Sequence, residues 1–290
     1  MEGGSLTEAD ALVWHGCCPF DRIDGAAAVQ ERVWAPLARA FGHLQRSTDV
    51  IVRGRWKGAD WIATRGNLTG VFCRDWLGIP ATNRFAWLPY GRFDRVDGGV
   101  VVESYELFDL PALMMQAGIW PLGPGPGPAL PCGKPAGGPD RDGAASLDLV
   151  ERMIAGLMRY DGRSLASMGM RNFWTHDFRW YGPAPIGTFA GHEDYERGHQ
   201  RPFLTAFPDR VGGNHKCRIG EGLYVASTGW PSVRATHSGD GWLGLTATGR
   251  PVGMRVMDFW RREGDRLAEN WVMIDLLDVL RQLGVEVLHP

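Results

Sequence analysis

The stretch Phe259-Trp260-Arg261-Arg262-Glu263-Gly264-Asp265-Arg266-Leu267-Ala268-Glu269-Asn270-Trp271 decides the fold. It reads as an extended segment, a Glu-Gly-Asp turn and a second extended segment. The glycine supplies the backbone freedom that a tight reversal requires. Working outward, the alternation predicts strands over 251–262 and 266–275, with earlier strands near 214–220, 222–230 and 232–238. A short strand is predicted over 173–180, a helix over 192–207, and a closing turn over 276–283 stopped by Gly284. A helical lead-in over 146–160 carries Leu149, Met153, Ile154 and Leu157 at helical spacing. Helices followed by an antiparallel meander define an α+β domain, a curved sheet wrapped on one side.

The same pattern occurs earlier at an offset of 166. Trp14, Gly16, Pro19 and Gly25 fall on Trp180, Gly182, Pro185 and Gly191, and Trp76-Leu77-Gly78 falls on Trp242-Leu243-Gly244. Phe93, Glu103, Asp109, Gln116 and Gly118 fall on Phe259, Glu269, Asp275, Gln282 and Gly284. Between the copies runs a Pro/Gly-rich stretch that holds neither helix nor central strand. The expected organisation is a domain over 1–120, shortened at its start and structural, a linker over 121–144, and an active-site domain over 145–290.

The run His237-Ser238-Gly239…Leu243-Gly244…Thr248-Gly249-Arg250, the opening stretch, and Leu280-Arg281-Gln282-Leu283-Gly284 together resemble the SnoaL-like polyketide cyclases. These belong to the nuclear transport factor 2-like superfamily of cone-shaped α+β domains. The resemblance implies two tandem cones, each a curved, mostly antiparallel sheet with packed helices. Because such domains commonly pair through their sheets, it also implies an intramolecular pseudo-dimer, with further oligomerisation left open. The superfamily holds isomerases, dehydratases, epoxide hydrolases and binding modules, so the fold alone does not set the reaction.

Comparing the copies isolates candidate chemistry. The helix stripe Tyr195, His199, Phe203, Phe207 corresponds to Val29, Val33, Leu37, Phe41, so His199 replaces an apolar residue. His237 stands for Val71, Asp258 for Arg92 and Asn270 for Ser104. Strand parity puts Asp258 on one face with Val256 and Trp260, where desolvation raises a carboxyl pKa toward neutrality. Arg255 and Arg179 are the cations that could pair with it instead. Under the resemblance, Asp258 falls where ketosteroid isomerases keep an oxyanion-hole aspartic acid and the cyclases a histidine. The cyclases' acid/base aspartate falls at Val272, Asn270 replaces a family histidine, and Trp180 takes the place of a polar residue. Asp275 matches another family aspartate, but Asp109 in the other copy points to helix capping.

The expected catalytic pair is therefore Asp258 with His199. Asn270 and His237 would hold an oxygen that gains charge, and Trp180, Tyr195, Trp230 and Trp260 would wall an aromatic pocket. The expected activity is isomerisation, dehydration or cyclisation of a small apolar carbonyl compound. The alternatives are a hydrolase acting on an epoxide or ester, and a small-molecule binding protein without catalysis. His176 and His215 are further polar candidates.

The counts narrow the classes further. With 31 Lys+Arg against 33 Asp+Glu, the chain lacks the basic excess of a nucleic-acid binder. No signal peptide and no uninterrupted apolar span is read, so membrane insertion is not expected. Five Cys show no paired spacing, and Cys17 and Cys18 are adjacent. Reduced thiols and a cytoplasmic location are expected, which leaves the sequon at Asn67 without meaning. His192-Glu193-Asp194-Tyr195-Glu196 echoes a helical zinc motif but lacks its second histidine. No metal and no cofactor is expected.

Overall fold

A computed structural model of the protein describes residues 7–129 and 141–288. The first half runs β1 (Glu8–Gly16), β2 (Arg22–Asp24), α1 (Ala26–Val29), a π turn (Gln30–Trp34) and α2 (Ala35–Ala40). It continues with β3 (Phe41–Trp56), β4 (Ala59–Phe72), β5 (Arg84–Asp97), β6 (Val100–Phe108) and α3 (Leu110–Gln116). The second half opens with α4 (Gly143–Leu157), then β7 (Trp174–Tyr181), β8 (Thr188–Ala190), α5 (Gly191–Tyr195), a π turn (Glu196–Gln200) and α6 (Arg201–Ala206). It ends with β9 (Val211–Gly212), β10 (His215–Glu221), β11 (Tyr224–Thr236), β12 (Pro251–Glu263), β13 (Arg266–Ile274) and α7 (Leu276–Leu283). The sheets are ordered β2-β1-β6-β5-β4-β3 and β10-β11-β12-β13-β7-β8, with β9 on β11. Both are mixed: β1 runs parallel to β6, and β7 parallel to β13.

Local chemistry explains the helix interruptions. Pro36 and Pro202 each follow a π turn at the start of the continuing helix. A proline inside a helix lacks the N–H for the α ladder and crowds the carbonyl four residues back. The wider π turn relieves that crowding. The expected strands 222–230 and 232–238 form one strand instead. Pro231 falls inside it and cannot donate to a ladder, so the register to β12 breaks between Gly229 and Val233 rather than ending.

The halves share more than element order. Asp109 caps α3 and Asp275 caps α7, each through one carboxylate oxygen. The other oxygen of each crosses to the opposite half: the Ala184 N–H donates to Asp109 at 2.8 Å and the Cys18 N–H to Asp275 at 3.0 Å. These two bonds are related by the offset of 166. Gln116 brackets the backbone of Trp87 with two hydrogen bonds, and Gln282 does the same to Gly253. Phe93 and Phe259 meet across the halves, ring centroids 5.4 Å apart.

One face of each sheet packs against the other half. Met257, Phe259, Trp271 and Met273 join the same core as Val50, Val52, Ala63 and Phe93. At Gly91 a Cβ would lie 2.8 Å from the Met273 sulfur, so the close approach there depends on glycine. Arg255 reaches across to Asp21 at 2.8 Å while holding Asp275 at 3.2 Å. The opposite face of the second sheet is covered by α4 and the helix over 191–206, and a second core forms beneath them.

The stretch expected as a linker is docked along β8 where it is described. Gly127 N–H donates to Ile186 and Thr188 N–H to Pro128. Gly125 lies so close to the Pro185 carbonyl that no side chain fits. The rest of the expected linker, over 130–140 and including Cys132, lies outside the described residues. Cys17, Cys18, Cys73 and Cys217 are free thiols. Burial pushes the Cys18 thiol up to about 11 and Cys17 up as well, which disfavours the reactive thiolate.

Candidate functional site

A cavity of about 200 Å³ lies between the second sheet and its helices. Strand parity builds its floor. Met254, Val256, Asp258 and Trp260 of β12 and Asn270, Val272 and Ile274 of β13 face it, while Met257, Phe259, Trp271 and Met273 face the other half. α4 contributes Met153, Ile154 and Leu157, and the helix over 191–206 contributes Tyr195, His199, Gln200 and Phe203. Trp174 and Trp180 come from β7, and His215 and Ser227 from β10 and β11. Exposed Met158 and Gly212 stand at the rim.

Asp258 sits on this largely apolar floor, where Asn270 Nδ2 donates to it at 3.4 Å. Burial lifts its carboxyl to about 7, against the opposing effects of the Asn270 bond and the nearby Arg218 cation. Neither cation considered from the sequence pairs with it. Arg255 serves Asp21, Asp275 and Asp278, and Arg179 turns to backbone carbonyls of its own strand. Asn270 also donates to the Phe259 carbonyl at 3.2 Å, which fixes its amide beside Asp258.

His199 stacks on Trp180 with centroids 4.1 Å apart and rings 20° from parallel, with Phe203 on its other side at 5.6 Å. Burial without a countercharge lowers it to about 3, so its imidazole is neutral at physiological pH. Among the described residues no hydrogen bond joins His199 to Asp258. His215, at the far wall, contacts Ser227 Oγ through Nδ1 at 3.4 Å and is lowered to about 4 by burial and by Arg218 and Lys57. Ser227 also accepts from Arg218 Nε at 3.3 Å, and it is paired across the ladder with Asp258.

Six of the eight residues expected from the sequence, Asp258, His199, Asn270, Trp180, Tyr195 and Trp260, surround this one cavity. Two stand elsewhere. His237 is fully buried against Phe207, and its Nδ1 accepts from Thr248 N–H at 3.3 Å, so it pins the loop before β12. Trp230 lies at the irregular register of β11 and turns to the opposite face, where it meets Tyr105 at 5.3 Å and lies under Arg255. It stands three residues from cavity-lining Ser227, so the two-residue alternation of β11 carries it to the opposite face. Ser227, Gln200 and Arg210 line the cavity without having been singled out.

In the first half the corresponding positions are filled differently. Arg92, at the position of Asp258, is buried and bonded to Asp94 at 2.7 Å and Glu8 at 2.6 Å, with Glu106 at 3.6 Å. The Trp14 indole N–H donates to Glu106 at 3.1 Å. A closed ion network thus stands where the second half keeps an unpaired acid.

Among the described residues no group of three His, Cys, Asp or Glu is placed to hold a metal ion. Among them, too, no helix is long and apolar enough to cross a membrane.

Residues 162–283 match the sequence profile of the SnoaL-like polyketide cyclases, a stretch that contains nearly all of the cavity except α4. The architecture around the cavity is α+β, a curved mixed sheet with packed helices. Among solved structures, AclR from Streptomyces galilaeus is 25% identical, with a TM-score of 0.40, over 49% of this chain and 83% of that one. IdmH from Streptomyces antibioticus is 25% identical, with a TM-score of 0.36, over 47% and 98%. A nuclear transport factor 2-like protein from Burkholderia xenovorans LB400 is 15% identical, with a TM-score of 0.38, over 49% and 98%. No curated protein matches the chain.

Proposed function

We propose that the chain is an enzyme that moves a proton next to a carbonyl group in a small, largely apolar molecule, in an isomerisation, dehydration or ring-forming step. The observation that carries this reading is Asp258, an acid without an ion-pair partner among the described residues on the floor of an apolar cavity, lifted to about 7. At that value both protonation states are populated near neutral pH, the condition under which general acid–base transfer is most efficient. Protonated, Asp258 donates to a carbonyl oxygen; ionised, it accepts a proton from the adjacent carbon. Asn270 holds its carboxyl in place. Trp180, Trp260 and Tyr195 provide flat apolar walls, and the neutral imidazole of His199 offers a ring N–H rather than a charge.

The match over 162–283 supports placing the chemistry in a domain over 145–290. The reciprocal Asp109 and Asp275 bonds and the Phe93–Phe259 contact support reading the chain as two SnoaL-like copies joined as an intramolecular pseudo-dimer. The copy over 1–120 then serves as the structural partner, joined through the stretch 121–144.

The test is exchange of carbon-bound protons for deuterium in a panel of small cyclic ketones and enones, read by mass spectrometry. Wild-type protein accelerates exchange for at least one scaffold and Asp258→Asn abolishes it. Equal exchange by the two proteins, with both folded, would remove Asp258 from the chemistry.

A further inference from the structure

Arg210 is a cation lining the cavity that meets no carboxylate among the described residues. It lies between α6 and β9, half-buried, and one arm of its guanidinium donates through Nη2 to the Leu157 carbonyl at the end of α4, at 2.9 Å. The same nitrogen lies 3.7 Å from the Met168 sulfur, and the guanidinium carbon is 5.8 Å from the Tyr160 ring centre. Among the described residues no carboxylate forms an ion pair with it. Its Nε and Nη1 donors have no protein acceptor there, whereas the buried Arg92 guanidinium is held by Glu8, Asp94 and Ser104. A half-buried guanidinium is partly stripped of water, so an anion that reaches its free donors pairs with it more strongly than it would in bulk solvent.

We propose that Arg210 is the binding residue for an anionic oxygen group of the ligand, a carboxylate or an equally acidic oxygen, carried on the apolar body that fills the cavity. The inference rests on the function proposed above and names its substrate class: an apolar acid whose carbonyl end meets Asp258 and whose anionic end meets the guanidinium fork. The Tyr195 ring lines the same cavity and feels the charge of both groups. The rest of the lining does not compete for the anion. His199 and His215 are neutral, and burial favours the protonated forms of Tyr195 and Asp258. The planar fork suits a carboxylate, which accepts two parallel N–H bonds.

The experiment compares 1-naphthoate with 1-naphthamide by titration calorimetry on the full chain. The pair shares its aromatic body and differs in charge. Wild type binds the carboxylate roughly tenfold or more tightly than the amide, as a charge-assisted hydrogen bond provides. Arg210→Gln, which retains an N–H for the Leu157 carbonyl, binds both equally. Arg210→Lys, which keeps the charge but not the fork, retains part of the preference and serves as the second variant should the glutamine form not fold. Arg218→Gln leaves the preference unchanged. Binding of both probes without preference in wild type, or a preference that survives in Arg210→Gln or disappears in Arg218→Gln, overturns the assignment while leaving the acid–base reading standing. If neither probe binds wild type, the ligand cavity itself fails and both readings fall together.

Discussion

Asp258→Asn separates the chemistry of this carboxyl from its cost. Burial raises the Asp258 carboxyl from 3.8 to about 7 in the folded protein, whereas in the unfolded chain it titrates near the ordinary aspartate value. The folded state therefore binds the proton more tightly, and stability falls as pH rises between those two values. Below about pH 4 the carboxyl is protonated in both states and no penalty exists. Above about pH 7 it is ionised in both, and the full penalty applies. A difference of about 3 units corresponds to about 4 kcal/mol, at 1.36 kcal/mol per unit. Asparagine has nearly the same shape and offers an oxygen to Asn270, but it does not ionise. The variant should match wild type near pH 4, gain on it through pH 5 and 6, and exceed it by up to about 4 kcal/mol at pH 8 while losing activity. Such a gain at a functional position is expected where a site holds a group in an unfavourable environment for its chemistry. Urea unfolding at pH 4.5, 6 and 8 measures the difference. Asp275 and Asp109, raised to about 7 and about 6, titrate in both proteins and cancel. A variant less stable than wild type at pH 8, or a difference independent of pH, would refute the argument that Asp258 is desolvated and unpaired.

Other outcomes follow from the same geometry. The His199 ring resonances should show no titration between pH 5 and 8, since burial lowers its pKa to about 3; an NMR midpoint inside that window would contradict the neutral imidazole. Phe259→Ala should cost about 3–5 kcal/mol in chemical denaturation, because a fully buried ring that meets Phe93 across the halves is replaced by a void. Gly91→Ala should cost about 1–3 kcal/mol by overpacking against Met273, and Met273→Ala in the same chain should recover part of it. Asp109→Ala should lower stability by at least a helix cap, about 1 kcal/mol, measured at pH 7 by thermal unfolding; no loss would mean that its bonds to Ala112 and Ala184 are not formed in solution.

The sheet meander was legible because each of its signals is local. The Glu263-Gly264-Asp265 turn, the alternation through 251–262 and 266–275, and the Asp275 cap with Gly284 at the helix end all appear in β12, β13 and α7. The facing of Asp258 with Val256 and Trp260 was equally local, since two-residue periodicity fixes which side of a regular strand a residue occupies. The misplacements have separate causes. Trp230 stands three residues from cavity-lining Ser227, so alternation along β11 carries it to the opposite face, and His237 lies past the strand end, where a loop folds back over it.

By itself, then, the sequence determined the two sheets, the order of their strands along the chain and the apolar setting of Asp258. These follow from propensity, periodicity and turn chemistry within a few residues. Only the tertiary structure decided which charges stay unmatched. Arg255 and Arg179 were open partners for Asp258 on paper, yet Arg255 is drawn to the boundary between the halves by Asp21, Asp275 and Asp278. Arg210, ordinary in sequence, is left facing the cavity because α4 closes over it and brings a carbonyl instead of a carboxylate. Ion pairing depends on distances between residues far apart in the chain, and no periodicity encodes those distances.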